Sequence, residues 1–97
     1  MAATRTALAR WEGSLIEGRG HVSAVSSGLF TEAPVTWAAR TEQPDGMTSP
    51  EELLAAAHAA CYAMALSNAL AEQGAPARSL DVSATATFAR SKQGDST

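Results

Sequence analysis

Cysteine is nearly absent from this 97-residue sequence: Cys61 stands alone. A single thiol closes no internal disulfide, which points to a reducing, cytoplasmic setting and leaves the sulfur available for other chemistry. Positive charge is also scarce. Seven basic residues stand against ten acidic ones and are scattered along the chain, so no electrostatic footprint for nucleic acid is expected. The longest nearly uncharged stretch, residues 53–70, is close to half alanine and contains His58, Ser67 and Asn68, which reads short of a membrane span. The early arginines precede no apolar run, so no secretory leader is expected.

Large apolar side chains are few as well. The hydrophobic fraction is 45 %, but 22 of those residues are alanine, and Ile, Leu, Val and Phe together number 15. A net charge of −3 and two strongly patterned stretches nonetheless argue for a folded chain. A chain of this length buries only about 60–65 % of its unfolded surface, so its core is marginal, which fits a subunit of a dimer or a fragment of something longer.

Along the chain, Thr6 to Glu12 places Ala7, Ala9 and Trp11 on one face and ends at Gly13-Ser14, which predicts a strand. Gly20 to Ser26 predicts a second strand, closed by Ser27-Gly28. After Pro34, the alternation of Val35, Trp37 and Ala39 against Thr36, Ala38 and Arg40 predicts a third, antiparallel to its neighbour. Residues 41–48 hold Pro44, Asp45 and Gly46 and read as a loop.

Ser49-Pro50-Glu51-Glu52 is the strongest local signal: Ser49 as N-cap, Pro50 as first helical position, and Glu52 closing a capping box. Helix formers then run unbroken to Gly74, a C-cap candidate followed by Pro76. The helix of roughly 24 residues would span about 36 Å. It is apolar nearly all round, so burial on most sides is expected. From Ser79 to Ser91, Leu80, Val82, Ala84, Ala86 and Phe88 alternate with polar residues and predict a long half-buried strand that runs into a turn at Lys92-Gln93-Gly94-Asp95. Strands, a long helix and a further strand make an α+β chain.

Cys61 falls near the middle of the helix, with Ala57, His58, Met64 and Ala65 one turn away. Taken alone it fits a small buried hydrophobe, and His58 fits a hydrogen-bonded core residue. An apolar setting raises a thiol pKa, so a reactive cysteine here needs a cation nearby. One Cys and one His supply two ligands where structural zinc needs four, so no metal is expected.

The run from Ser49 to Ser67, containing Pro50-Glu51-Glu52-Leu53 and His58-Ala59-Ala60-Cys61, closely resembles the central helix of the OsmC/Ohr family of thiol-dependent peroxidases. Ala9-Arg10-Trp11-Glu12-Gly13, Gly18-Arg19-Gly20 and the Trp37 to Glu42 strand ending look similar too, and the His58-Ala-Ala-Cys61 form is more like the OsmC branch. The resemblance implies an antiparallel sheet packed on a long central helix, in the N-terminal portion of an intertwined homodimer subunit. It implies that Cys61 is the peroxidatic cysteine, that Arg40 and Glu51 match the arginine and glutamate placed beside it, and that His58 is a possible modulator. Glu51 and Cys61 are ten residues apart, about 15 Å along one helix, so a shared site would take Glu51 from a second subunit.

Family chains continue to a second, resolving cysteine in a Cys-Pro motif. Residues 1–97 are therefore read as a single, C-terminally truncated OsmC-like domain whose oxidised sulfur needs an external thiol reductant. The implied function is reduction of organic hydroperoxides to alcohols, in oxidative or osmotic stress defence, with no cofactor. Two alternatives stay open: a catalytically incomplete relative that binds a small hydrophobic ligand, and an inert structural fragment.

Overall fold

The computed structural model describes residues 2–91 and 94–96. It is an α+β chain with a three-stranded antiparallel sheet and one long helix. Two compact units divide it, residues 1–49 and residues 50–97.

In the first unit, β1 (Ala7–Glu12), β2 (Arg19–Ala24) and β3 (Ala33–Val35) lie in the order β1-β2-β3. The first two strands agree with the pattern read from the sequence. Their register runs from Ala7 opposite Ala24 to Glu12 opposite Arg19. The turn between them is closed twice at Ser14, whose carbonyl accepts from the Gly18 amide at 2.8 Å and whose hydroxyl accepts from the Glu17 amide at 3.1 Å. Between β2 and β3, the Thr6 carbonyl accepts from the amides of Val25 and Ser26 at 3.1 and 3.2 Å, which ties the loop back to the start of β1.

The third strand is shorter than the alternation suggested. It stops at Val35, and Trp37–Thr41 form a five-residue helix, α1. The reason is local: Thr36 is extended and its hydroxyl accepts from the Ala39 amide at 3.1 Å, a side-chain cap that starts a helix where alternation alone implied more strand. The Glu42 amide closes on the Ala38 carbonyl at 2.7 Å, and Arg40 sits in the last turn, where the helix dipole favours a cation.

The second unit is built on α2 (Pro50–Glu72), 23 residues that start at the expected proline. Its end is a Schellman motif. Gly74 has φ +78°, the Ala75 amide reaches the Leu70 carbonyl at 2.9 Å, and the Gly74 amide reaches that of Ala71 at 3.0 Å. By length and composition α2 is apolar enough to cross a membrane, a test that core helices also pass.

Two expectations are corrected in this unit. No residue of α2 is buried, and Leu54, Tyr62 and Met64 are exposed, so the helix does not gain from the described residues the all-round cover its composition implied. The long strand from Ser79 reduces to β4 (Ala89–Ser91), paired antiparallel with β5 (Gly94–Ser96). Residues 80–88 keep the expected alternation of half-buried and exposed side chains but carry no ladder. Alternation records which face is covered; a strand needs a hydrogen-bonded neighbour as well. The expected turn at 92–95 is only partly visible, because Lys92 and Gln93 lie outside the described residues, and Gly94 and Asp95 belong to β5.

Among the described residues Ala39 is the buried apolar side chain, at 8 % exposure. Against that, Leu8, Ile16, Leu29, Leu54 and Met64 all stand exposed. So thin a core agrees with the alanine-heavy composition.

Candidate functional site

The helical repeat sorts α2 into two faces. Leu53 apart, the half-buried positions Glu51, Ala55, Ala59, Ala63, Leu66 and Leu70 recur every three or four residues and form one stripe. Cys61 lies on the opposite side of the helix, aligned with Leu54, Ala57 and Met64 at three- and four-residue spacing, and its thiol is exposed. A thiol on an open helix face can be approached by a solution reactant without any movement of its own unit.

His58 precedes Cys61 by one turn and is exposed as well. Glu51 stands in the first helical turn beside Glu52, where carboxylates meet the positive end of the dipole. Ten residues of helix, about 15 Å of rise, separate it from Cys61. Three of the four expected site residues thus ride on one helix, and Glu51 does not meet Cys61 on it.

Arg40 belongs to the other unit. It is half-buried at the end of α1, and its guanidinium carbon lies 5.9 Å from the centroid of the Trp37 ring. Reading residues 35–40 as a strand missed this contact, because a strand sends residues three apart to opposite faces whereas a helix turns them to one side. The Thr36 hydroxyl, besides capping α1, donates to Met47 Sδ at 3.9 Å and so ties the following loop to the helix start.

A groove of about 240 Å³ is lined by Met64 and Ser67 of α2 and by Ala77, Arg78 and Leu80 of the segment that follows the helix. Met64, one turn from Cys61, is part of this lining, but Cys61 itself is not. Among the described residues no cluster of three His, Cys, Asp or Glu side chains could hold a metal ion.

The model of the OsmC-like protein family matches residues 43–96, a span that contains Glu51, His58 and Cys61. Peroxiredoxin OsmC of Escherichia coli (strain K12) is 46% identical over 76 residues, which are 78% of this chain and 52% of that protein. Peroxiredoxin OsmC of Shigella flexneri is similar to the same extent. The chain spans about half the length of the curated relatives it matches.

Proposed function

Because the chain belongs to the OsmC-like protein family, we propose that it is part of a thiol peroxidase that reduces organic hydroperoxides to alcohols through Cys61. The observation that carries the reading is the exposed Cys61 thiol at mid-helix, within the stretch that matches the family. The relatives' name, peroxiredoxin, points to the same chemistry.

In the proposed step the Cys61 thiolate attacks the outer peroxide oxygen. An S–O bond forms, the O–O bond breaks, and the alkoxide leaves as an alcohol once protonated. The sulfur is oxidised to a sulfenic acid and the peroxide is reduced. An external thiol then attacks the sulfenic sulfur, releases water and leaves a mixed disulfide, from which a second thiol frees Cys61.

Arg40 is assigned to stabilise the thiolate and the developing alkoxide, both anions, and Glu51 to orient the guanidinium by paired N–H···O bonds. The separation of Glu51 from Cys61 along α2 supports a homodimer in which one subunit's Glu51 serves the other's thiol. His58, one turn from Cys61, is assigned a modulating role. The reading needs neither metal nor organic cofactor, and the lone cysteine suits a reducing, cytoplasmic setting.

The test is loss of the Cys61 thiol to one equivalent of an alkyl hydroperoxide, followed by mass spectrometry. A single added oxygen on Cys61, formed rapidly in the parent and slowly in Arg40→Ala, is expected. An intact thiol after prolonged exposure to the peroxide overturns the proposal. The groove beside Met64 favours a second reading, the binding of a small hydrophobic ligand, which that same inert thiol together with saturable ligand binding would select.

A further inference from the structure

We infer that Trp37 is a positioning residue for Arg40: the indole face holds the guanidinium in the orientation from which it serves the thiolate. The inference rests on the role proposed for Arg40.

The geometry starts from the cap. Thr36 accepts from the Ala39 amide, and the Arg40 amide donates to the Thr36 carbonyl at 3.1 Å, so the backbone that carries Arg40 is fixed from its N-terminal side. From the other side, the Thr41 hydroxyl donates to the Trp37 carbonyl at 2.8 Å. Ala39 between them is buried, which anchors the helix by its short side chain. A five-residue helix fastened at these points brings residues three apart to one side, as it does Trp37 and Arg40.

The backbone bonds do not fix the arginine side chain. It has several rotatable bonds and carries about 2 kcal/mol of rotamer entropy. The ring supplies one restraint beside the other contacts of Arg40: at 5.9 Å the guanidinium carbon is within the range over which the negative face of an indole attracts a cation, and both residues are half-buried, where that attraction exceeds its exposed value. A planar guanidinium can meet an aromatic ring through its face and leave its N–H edge for other partners. One group can therefore lie on an aromatic ring and still donate in its own plane to an anion. An ammonium group, with no such division between face and edge, could not do both as well.

The ring contact acts beside the other contacts that Arg40 makes, so its removal should loosen the side chain without unfolding α1. Trp37→Leu keeps apolar volume and removes the ring, Trp37→Phe keeps a ring face, and Arg40→Leu removes the cation. In the protein, each would be followed by the rate of Cys61 oxidation by an alkyl hydroperoxide. In a Trp11→Phe background, Trp37 emission would report on the Trp37–Arg40 pair.

The expected result is oxidation slowed about three- to tenfold in Trp37→Leu, substantially restored in Trp37→Phe, and slowed further in Arg40→Leu. Trp37 emission should change when Arg40 becomes Leu. If Arg40→Leu slows oxidation and Trp37→Leu does not, the inference is overturned while the role of Arg40 stands. Equal losses in Leu and Phe variants would also overturn it, since the ring face would then not matter. If Arg40→Leu leaves oxidation unchanged, the role of Arg40 falls and the positioning role goes with it.

Discussion

Trp11 and Gly20 are register partners across β1 and β2, and the indole lies directly over the glycine. A Cβ at Gly20 would come within 2.5 Å of Trp11 Cε3 and 2.7 Å of the Arg10 carbonyl oxygen. Gly20 is itself buried and also pairs with Val35, so it lies under the middle of the sheet. Gly20→Ala should therefore cost about 1–3 kcal/mol by overpacking. Urea denaturation would measure it. The added variant Trp11→Leu should recover part of the loss if the clash is with the ring, whereas strictly additive losses would place the strain elsewhere.

Thr36 serves two partners through one hydroxyl, the Ala39 amide and Met47 Sδ. Thr36→Val keeps the shape and removes both bonds; Thr36→Ser keeps both. The valine variant should lose about 0.5–2 kcal/mol, mainly from the missing cap, and the serine variant much less. Amide exchange at Ala39 is the local readout. Equal protection in valine and serine variants would show that the cap does not hold α1.

How far the sequence disclosed this molecule depends on the kind of signal. Elements with punctuation of their own were legible: Gly13 directly follows β1, Gly28 lies in the turn after β2, and Pro50 and Gly74 bracket α2 to within a residue or two. Residues 35–40 misled because three alternating pairs are too few to separate a period of two from one of 3.6, and a single hydroxyl cap decided the matter. Residues 80–88 misled in another way. Their half-buried face is the one the pattern named, but pairing depends on a neighbour that no local pattern specifies. For the candidate site, Cys61, His58 and Glu51 could be placed on one helix from spacing alone. The Trp37–Arg40 contact could not, since it exists only once those residues are helical.

Gly74 offers a simpler test of α2. Its φ of +78° is a left-handed conformation that costs other residues roughly 1–2 kcal/mol, and nothing lies within 4 Å of the Cβ an alanine would add. Gly74→Ala should thus lower stability by about that amount through backbone strain alone. Gly74→Asn, which tolerates this conformation better, should lose less. Identical losses would argue against strain as the cause.

Substrate preference should follow the side chains around the thiol. Leu54, Ala57 and Met64 share the Cys61 face, so an alkyl hydroperoxide gains apolar contacts that hydrogen peroxide cannot make. Oxidation of Cys61 by the alkyl hydroperoxide should be faster by about tenfold or more, the effect of one or two methylenes in an apolar site. Equal second-order rates for the two oxidants would remove the case for an organic substrate.

The same face tests the homodimer. Leu54 is 64% exposed and Met64 73%, on a helix too apolar to be left in water without cost. If a second subunit covers this face, as the distance between Glu51 and Cys61 suggests, each large side chain gains roughly 1.5–3 kcal/mol on association. Leu54→Lys should then weaken the dimer by at least about tenfold, read by light scattering across a dilution series, with Met64→Lys acting in the same direction. The lysine variants should also slow Cys61 oxidation at low protein concentration and recover at high concentration, because a site completed by the partner's carboxylate forms only in the dimer. An unchanged dimer in both variants would exclude this face as the interface. A loss of activity that concentration does not restore would mean that the lysines act on the thiol directly.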